Sequence, residues 1–211
     1  MTRTITVTGN GSAQAAPDML TVSFGVETRR GAAGAAYDDV GASAAAISAA
    51  LRDHGVPDAD IRTSALNLRA ELLWQEGQGQ RVTGYLASTV LSVSLRQLSS
   101  ASATISAAVE AGGDAIRLNG MELGFADASA VTARAREAAW KDAVAKATQF
   151  ASLAESTLGQ VVSVEQNPSS PPPIPMGGGM LRAAAVDSVT IEPGETSVDA
   201  SVTVAWELQT A

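Results

Sequence analysis

The chain has few residues that could perform acid–base or thiol chemistry. His54 is the single histidine among 211 residues, and cysteine is absent. A hydrolytic triad needs a base beside its nucleophile, and thiolate chemistry needs cysteine. His54 falls at the predicted end of a helix, where an imidazole can interact with the terminal carbonyl groups and the helix dipole. We therefore interpret His54 as a helix-end residue and predict a protein that is not an enzyme, with no catalytic residues.

Carboxylates are the remaining metal-ligand type, and they cluster in two short sets. The sets are Asp38-Asp39 and Asp58-Ala59-Asp60. A hard cation such as Ca²⁺ needs several converging oxygens, and neither set has the spacing of a calcium loop. Asp38 and Asp39 fit the polar side of a helix, and the second set follows Pro57 in a turn. We predict no metal site.

A short glycine motif, Gly9-Asn10-Gly11, resembles the start of a dinucleotide-binding fingerprint. That fingerprint needs a third glycine and a helix whose N-terminus faces the phosphate. Here Pro17 and another strand follow instead. We interpret the glycines as part of a bulge or turn and predict no nucleotide or other cofactor.

Charge argues against a phosphate-binding surface, because the formal net charge is −8 and lysine occurs twice. Nucleic acid is therefore not an expected partner. The densest basic set lies on one predicted helix and comprises Arg134, Arg136, Lys141 and Lys146. Glu137 and Asp142 each precede a lysine by four residues, which favours a solvated, self-paired helix face.

A proline- and glycine-rich segment at about 167–182 interrupts the regular patterns and predicts a flexible loop. PxxP spacing in this segment could present a polyproline II ligand, although no arginine flanks it closely. The candidate interaction residues of this loop are Pro168, Pro171, Pro172, Pro173, Pro175 and Met176.

Apolar residues at every second position predict strands with one buried and one wet face. The runs are Ile5 and Val7; Leu20, Val22, Phe24 and Val26; Leu66, Leu68, Ala70, Leu72 and Trp74; Tyr85, Ala87, Thr89, Leu91, Val93 and Leu95; and Val198, Ala200, Val202, Val204, Trp206 and Leu208. The third and fourth runs should form a hairpin across polar residues 76–80. Weaker signals predict strands at 118–125, 161–164 and 189–191, the last ending at the Pro193-Gly194 turn.

Three stretches have helical spacing. The first stripe is Ala36, Val40, Ala44, Ile47 and Leu51, with Gly55 as the C′ residue; the second is Leu98, Ala101, Ile105 and Val109, ending at Gly112-Gly113; the third begins near Asp127, runs to Gly159 and carries Ala135, Ala139, Ala143, Ala147, Phe150, Ala154 and Leu158. These assignments follow from capping preferences and periodicity.

The resulting order, β-β-α-β-β-α-β-α-β-β, predicts an α+β fold with an antiparallel or mixed sheet and three helices packed on it. We expect residues 1–211 to form a single domain. No run of apolar residues is long enough to span a bilayer, so we predict no transmembrane segment. If Met1 is the native start, the absence of a signal peptide predicts the cytoplasm; a trimmed export signal would instead place the chain in the periplasm or cell envelope.

The whole pattern resembles the SIMPL domain family. The resemblance rests on these segments in order: Val7-Thr8-Gly9-Asn10-Gly11, Ala16-Pro17-Asp18, Gly55-Val56, Asp60-Ile61-Arg62-Thr63, Gly84-Tyr85-Leu86-Ala87-Ser88, Ala133-Arg134, Leu158-Gly159 and Ile191-Glu192-Pro193-Gly194-Glu195. It covers nearly the whole chain.

The resemblance implies an α+β fold, oligomeric assembly, a bacterial envelope or periplasmic setting and a loose link to stress tolerance, and it supplies no catalytic residues. Our leading hypothesis is a non-enzymatic homo-oligomeric assembly or interaction protein, with a protein partner as a further expectation. A binding module for a small molecule or peptide is the second hypothesis. An unrecognised carboxylate-based enzyme is the third.

Overall fold

The computed structural model describes residues 3–76, 79–167 and 191–210. The elements, in chain order, are β1 (Thr4–Ala15), β2 (Met19–Arg30), α1 (Ala33–Asp53), β3 (Ile61–Gln75), β4 (Gly79–Leu95), α2 (Leu98–Gly112), β5 (Ile116–Gly124), α3 (Ser129–Leu153), β6 (Ser156–Asn167) and β7 (Thr196–Thr210). This order and the α+β class confirm the prediction.

The chain divides into two compact units, of which one contains residues 17–126. Its four-stranded sheet has the order β3-β4-β2-β5, and every neighbouring pair is antiparallel. The predicted hairpin is present, because β3 and β4 pair from Ile61 with Val93 to Gln75 with Gly79. Among the strands that the structure describes, β3 and β5 therefore form the two edges of this sheet.

Helices α1 and α2 bury the centre of this sheet. The alternating residues of β2 predicted to face the core, Leu20 to Val26, are buried, and so are Leu91, Val93 and Leu95 of β4. Helix α1 buries Ala36, Val40, Ile47 and Leu51 against them, as the helical spacing predicts. Gly55 has a φ of +81°, the left-handed conformation expected of a helix C′ residue.

The second unit contains β1, α3, β6 and β7 and has its own core. Its three-stranded antiparallel sheet has the order β1-β7-β6. Helix α3 packs on this sheet through small residues spaced four apart: Ala135, Ala139, Ala143, Ala147 and Ala151 are all buried. Trp206 of β7 is buried in the same unit, with 3% of its surface exposed.

The interpretation of Gly9-Asn10-Gly11 as a bulge or turn is wrong. Both glycines lie in the regular part of β1, where Gly9 pairs with Val202 and Gly11 with Ala200. A Cβ atom on Gly9 would lie 2.6 Å from the Ala143 nitrogen and closer still to the Ala139 carbonyl oxygen. The glycines therefore allow strand and helix backbones to approach closely, which explains the residue type without a ligand.

Three local predictions differ from the structure. Helix α3 ends at Leu153 rather than Gly159, and Phe150 is 52% exposed because Ala151 takes its place on the buried face. Helix α2 buries Ala101, Thr104 and Ala108, so its buried face is rotated away from Val109. Ile191 lies outside any strand, and residues 189–190 lie outside the described residues.

Candidate interaction surface

The largest departure from expectation is the apolar face of β3, which the alternation predicts to be buried and which is exposed. We define the hairpin face as five large apolar side chains: Leu66 (53% exposed), Leu68 (46%), Leu72 (54%) and Trp74 (71%) of β3, and Val82 (46%) of β4. Exposed apolar side chains that stand alone are ordinary, whereas a contiguous row is typical of an interaction site.

The register of the hairpin places these side chains on one side of the sheet. One extra residue, Ser64, makes a bulge in β3 between Thr63, opposite Leu91, and Ala65, opposite Val90. Leu66 and Leu68 lie opposite Thr89 and Ala87, which are buried on the helix side. A second shift in register, between Glu71 and Leu72 of β3, leaves Thr83 of β4 unpaired and places Val82 opposite Leu72. The hairpin face therefore continues the helix-covered side of the sheet beyond the part that is covered.

A shallow groove borders the inner end of the hairpin face. It has a volume of about 310 Å³ and lies where α1 passes the β3 edge. Tyr37, Val40, Gly41 and Ala44 of α1 form one wall, and Leu66 forms part of the other. Tyr37 is itself 50% exposed, so apolar surface extends from the hairpin onto the first helix.

The opposite side of β3 carries charges. Glu71 accepts an ion pair from Arg29 of β2 at 2.8 Å, and its side chain is 30% exposed. Arg69, two residues earlier on the same face, is exposed and makes no ion pair with the part of the chain that the structure describes. An arginine and a glutamate thus flank Ala70 on the exposed edge strand.

The two aspartate sets weighed as metal ligands are each engaged by arginine instead. Asp60 accepts two hydrogen bonds from Arg96, both 2.8 Å long, and Asp58 accepts one from Arg52. Asp39 pairs with Arg30, while Asp38 is exposed on α1. Among the residues described here, no group of three or more metal-ligating side chains is close enough to hold an ion.

The Asp60–Arg96 pair predicts a specific acid sensitivity. The hydrogen bond from Arg96 lowers the pKa of the Asp60 carboxyl below its usual range. A carboxyl whose pKa is lower in the folded state stabilises the fold above its unfolded-state pKa and loses that contribution as pH falls through the folded value. Urea unfolding of Asp60→Asn should therefore show a smaller loss of stability between pH 5 and roughly pH 3 than the wild type. Equal losses in both proteins would contradict the assignment.

The remaining sequence-selected residues do not form a catalytic cluster. His54 is exposed at the C-terminal end of α1, as predicted. On α3, Lys146 pairs with Asp142 at 2.6 Å and donates to the Thr8 carbonyl, which confirms that pair of the self-paired face. The Lys146 bond and the Asn10 N–H lower the pKa of Asp142. These contacts join helix α3 to strand β1.

The six residues of the candidate interaction loop, Pro168 to Met176, lie outside the described residues, so their role stays a prediction.

Sequence reasoning missed the hairpin face because it treated every alternating run as core. The available signal was the number of apolar strand faces, which exceeded what three helices could cover. No helix in the described ranges combines the length and apolarity required to cross a bilayer.

Comparison with known proteins places the chain among its relatives. The model of the SIMPL family, described as a protein of unknown function (DUF541), matches residues 5–206. The chain belongs to this family. A 26 kDa periplasmic immunogenic protein of Brucella melitensis is 30% identical over 217 residues, covering 97% of this chain and 84% of the relative. An uncharacterized protein, YggE, of Escherichia coli is 29% identical over 207 residues, covering 97% and 83%.

Membership of the SIMPL family confirms the resemblance seen in the sequence segments. The description of the family specifies no reaction, so the geometry of this chain must suggest the function. The hairpin face is an exposed apolar row on an edge strand that α1 and α2 leave uncovered.

Proposed function

We propose that this SIMPL protein is a non-enzymatic assembly protein that associates with protein surfaces through its hairpin face. The row of five apolar side chains on an edge hairpin carries the proposal. Burying such a row would remove apolar surface from water, and an edge strand offers unpaired backbone groups to a partner.

Replacing one leucine of the hairpin face by a charge should abolish association. We expect the wild type to exceed the mass of one chain by light scattering after size exclusion, and Leu68→Glu to return to that mass. A buried glutamate without a partner opposes association strongly. Leu118→Glu is the matched control, because Leu118 is 47% exposed on β5, the opposite edge of the same sheet. A monomeric wild type, or equal loss in both variants, would contradict the proposal.

The groove beside α1 favours a second function, the binding of a small apolar ligand or peptide. Tyr37, Val40 and Leu66 offer apolar contact area in its walls, and Asp38 is the one charged residue of the lining. This function becomes the leading one if the wild type is a monomer. Binding pockets are commonly apolar concavities with few polar groups, and this groove is at the lower end of their usual volume.

The Brucella relative is named as periplasmic, and on that ground we propose the periplasm or cell envelope for this chain. Cell fractionation of the full-length native protein tests this assignment, and recovery in the cytoplasmic fraction would contradict it. The link to stress tolerance stays a prediction of the family resemblance.

A further inference from the structure

The sequence of the exposed edge strand is self-complementary, and this identifies a partner for the hairpin face. Strand β3 continues without an extra residue from Ala65 to Gln75. Of the four nearest pairs of residues equidistant from Ala70, three are complementary in chemistry, and the fourth, Asn67 with Leu73, is not. Arg69 mirrors Glu71, Leu68 mirrors Leu72, and Leu66 mirrors Trp74.

We propose that the partner is a second copy of this chain, and that the two β3 strands pair antiparallel about a two-fold axis at Ala70. This inference rests on the proposed function and adds the partner and the register. In such a pair, residues equally distant from Ala70 lie opposite each other. Arg69 then faces the partner's Glu71, and Glu71 faces the partner's Arg69.

Charge selects this register over its neighbours. Moving the axis one residue back, to Arg69, would place two arginines opposite each other, and moving it forward to Glu71 would place two glutamates opposite each other. Like charges directly opposite across strands are destabilising, and opposite charges contribute roughly 0.2–1 kcal/mol each. The register at Ala70 is therefore favoured twice, once for each symmetry-related pair.

The apolar side chains agree with the same register. Directly opposed residues of paired strands project to the same side of the sheet, so the hairpin faces of both copies coincide. Leu68 lies opposite the partner's Leu72, and Leu66 opposite the partner's Trp74. Two hairpin faces that are each half exposed in one chain would thus form one continuous apolar cluster on the extended sheet.

The absence of cysteine allows a direct test of the axis. In Ala70→Cys, the new thiol of one chain lies opposite the same thiol of the partner chain. The two Cα atoms would be about 4.5 or 5.5 Å apart, which is within the range of a disulfide. Mild oxidation should convert most of this variant to a covalent dimer. In Ala65→Cys the two thiols would be roughly 33 Å apart in the proposed pair, because ten residues separate them along the strand. This control should remain uncrosslinked.

A charge-exchange experiment tests the register without any disulfide. Arg69→Glu places glutamates opposite glutamates, and Glu71→Arg places arginines opposite arginines, so each variant should self-associate about tenfold more weakly or worse. Mixed together, the two variants restore both opposite-charge pairs, and a heterodimer should form. A merely structural role of Arg69 or Glu71 would not be rescued by mixing.

The outcomes separate this inference from the proposed function. If the wild type is monomeric, the proposed function and the self-pairing both fail. If the wild type self-associates and loses this property in Leu68→Glu, while Ala70→Cys stays uncrosslinked and mixing restores nothing, association through the face stands and the register is wrong. Circular dichroism of each variant verifies that it is folded before its result is read.

Discussion

Gly9→Ala should destabilise the unit built on β1 and α3 by about 3 kcal/mol or more, although it adds a single methyl group. The added Cβ would lie 2.6 Å from the Ala143 nitrogen, with the Ala139 carbonyl oxygen closer still. Both atoms belong to the backbone of α3, so no side-chain rotation relieves the overlap. Helix and strand must move apart, which opens gaps along the whole buried alanine row. Urea unfolding followed by circular dichroism measures the effect.

Gly120→Ala is the matched control for this prediction. Gly120 also lies in a strand, β5, but a Cβ there meets no atom within 4 Å. We expect its stability to be unchanged or slightly increased, since alanine restricts the unfolded chain more than glycine does. Trimming the helix side chain in Gly9→Ala/Ala143→Gly should not rescue the variant, because the nearest obstacles are backbone atoms. A Gly9→Ala protein as stable as the control would refute the close-packing explanation.

The glycine pair shows where sequence reasoning reached its limit. Gly9 and Gly11 continue the alternation of Ile5 and Val7, and alanine recurs every fourth residue of α3, so both halves of the contact are visible in the sequence. Nothing local indicates that they face each other, because the contact joins residues more than 120 positions apart. A turn and a close approach both require glycine, and tertiary structure decides between them.

Strands β2 and β3 show a second limit of prediction from sequence, which concerns burial. Both have clean apolar alternation, and both are strands as predicted, yet Val22 and Phe24 are buried while Leu66 and Leu72 are half exposed. Alternation reports that one face of a strand is apolar. Whether that face is covered depends on the position of the strand in the sheet and on the reach of the helices, which are long-range properties.

The candidate surface was therefore only partly accessible to prediction. The mirror symmetry around Ala70 is present in the bare sequence and could have been found there. Its meaning depends on β3 lying at the edge of its sheet, because the same residues in a central strand would face neighbours of the same chain. The sequence analysis selected the proline-rich loop instead, because a biased composition is easier to recognise than pairs of complementary residues within one strand.

Trp206→Ala should cost about 3–5 kcal/mol in the free energy of unfolding, the second large effect that we expect. Trp206 is 3% exposed and packs in the core formed by Val7, Ala143 and Val204. Its ring also lies 6.0 Å from that of Trp140, at an interplanar angle of 52°. Removing the indole leaves a cavity among rigid alanine contacts that cannot collapse readily. A change below about 1 kcal/mol would refute the assignment of Trp206 to the core.

Trp74→Ala should have little effect on stability, unlike Trp206→Ala, because it removes a side chain that is 71% exposed. Both variants are best compared in an Arg69→Glu background, where weakened association no longer adds to apparent stability. There we expect Trp74→Ala to change the unfolding free energy by less than about 0.5 kcal/mol. In the native background the same variant should instead reduce the mass in solution. Trp206 would then stabilise the fold and Trp74 would contact the partner, in agreement with their exposed fractions.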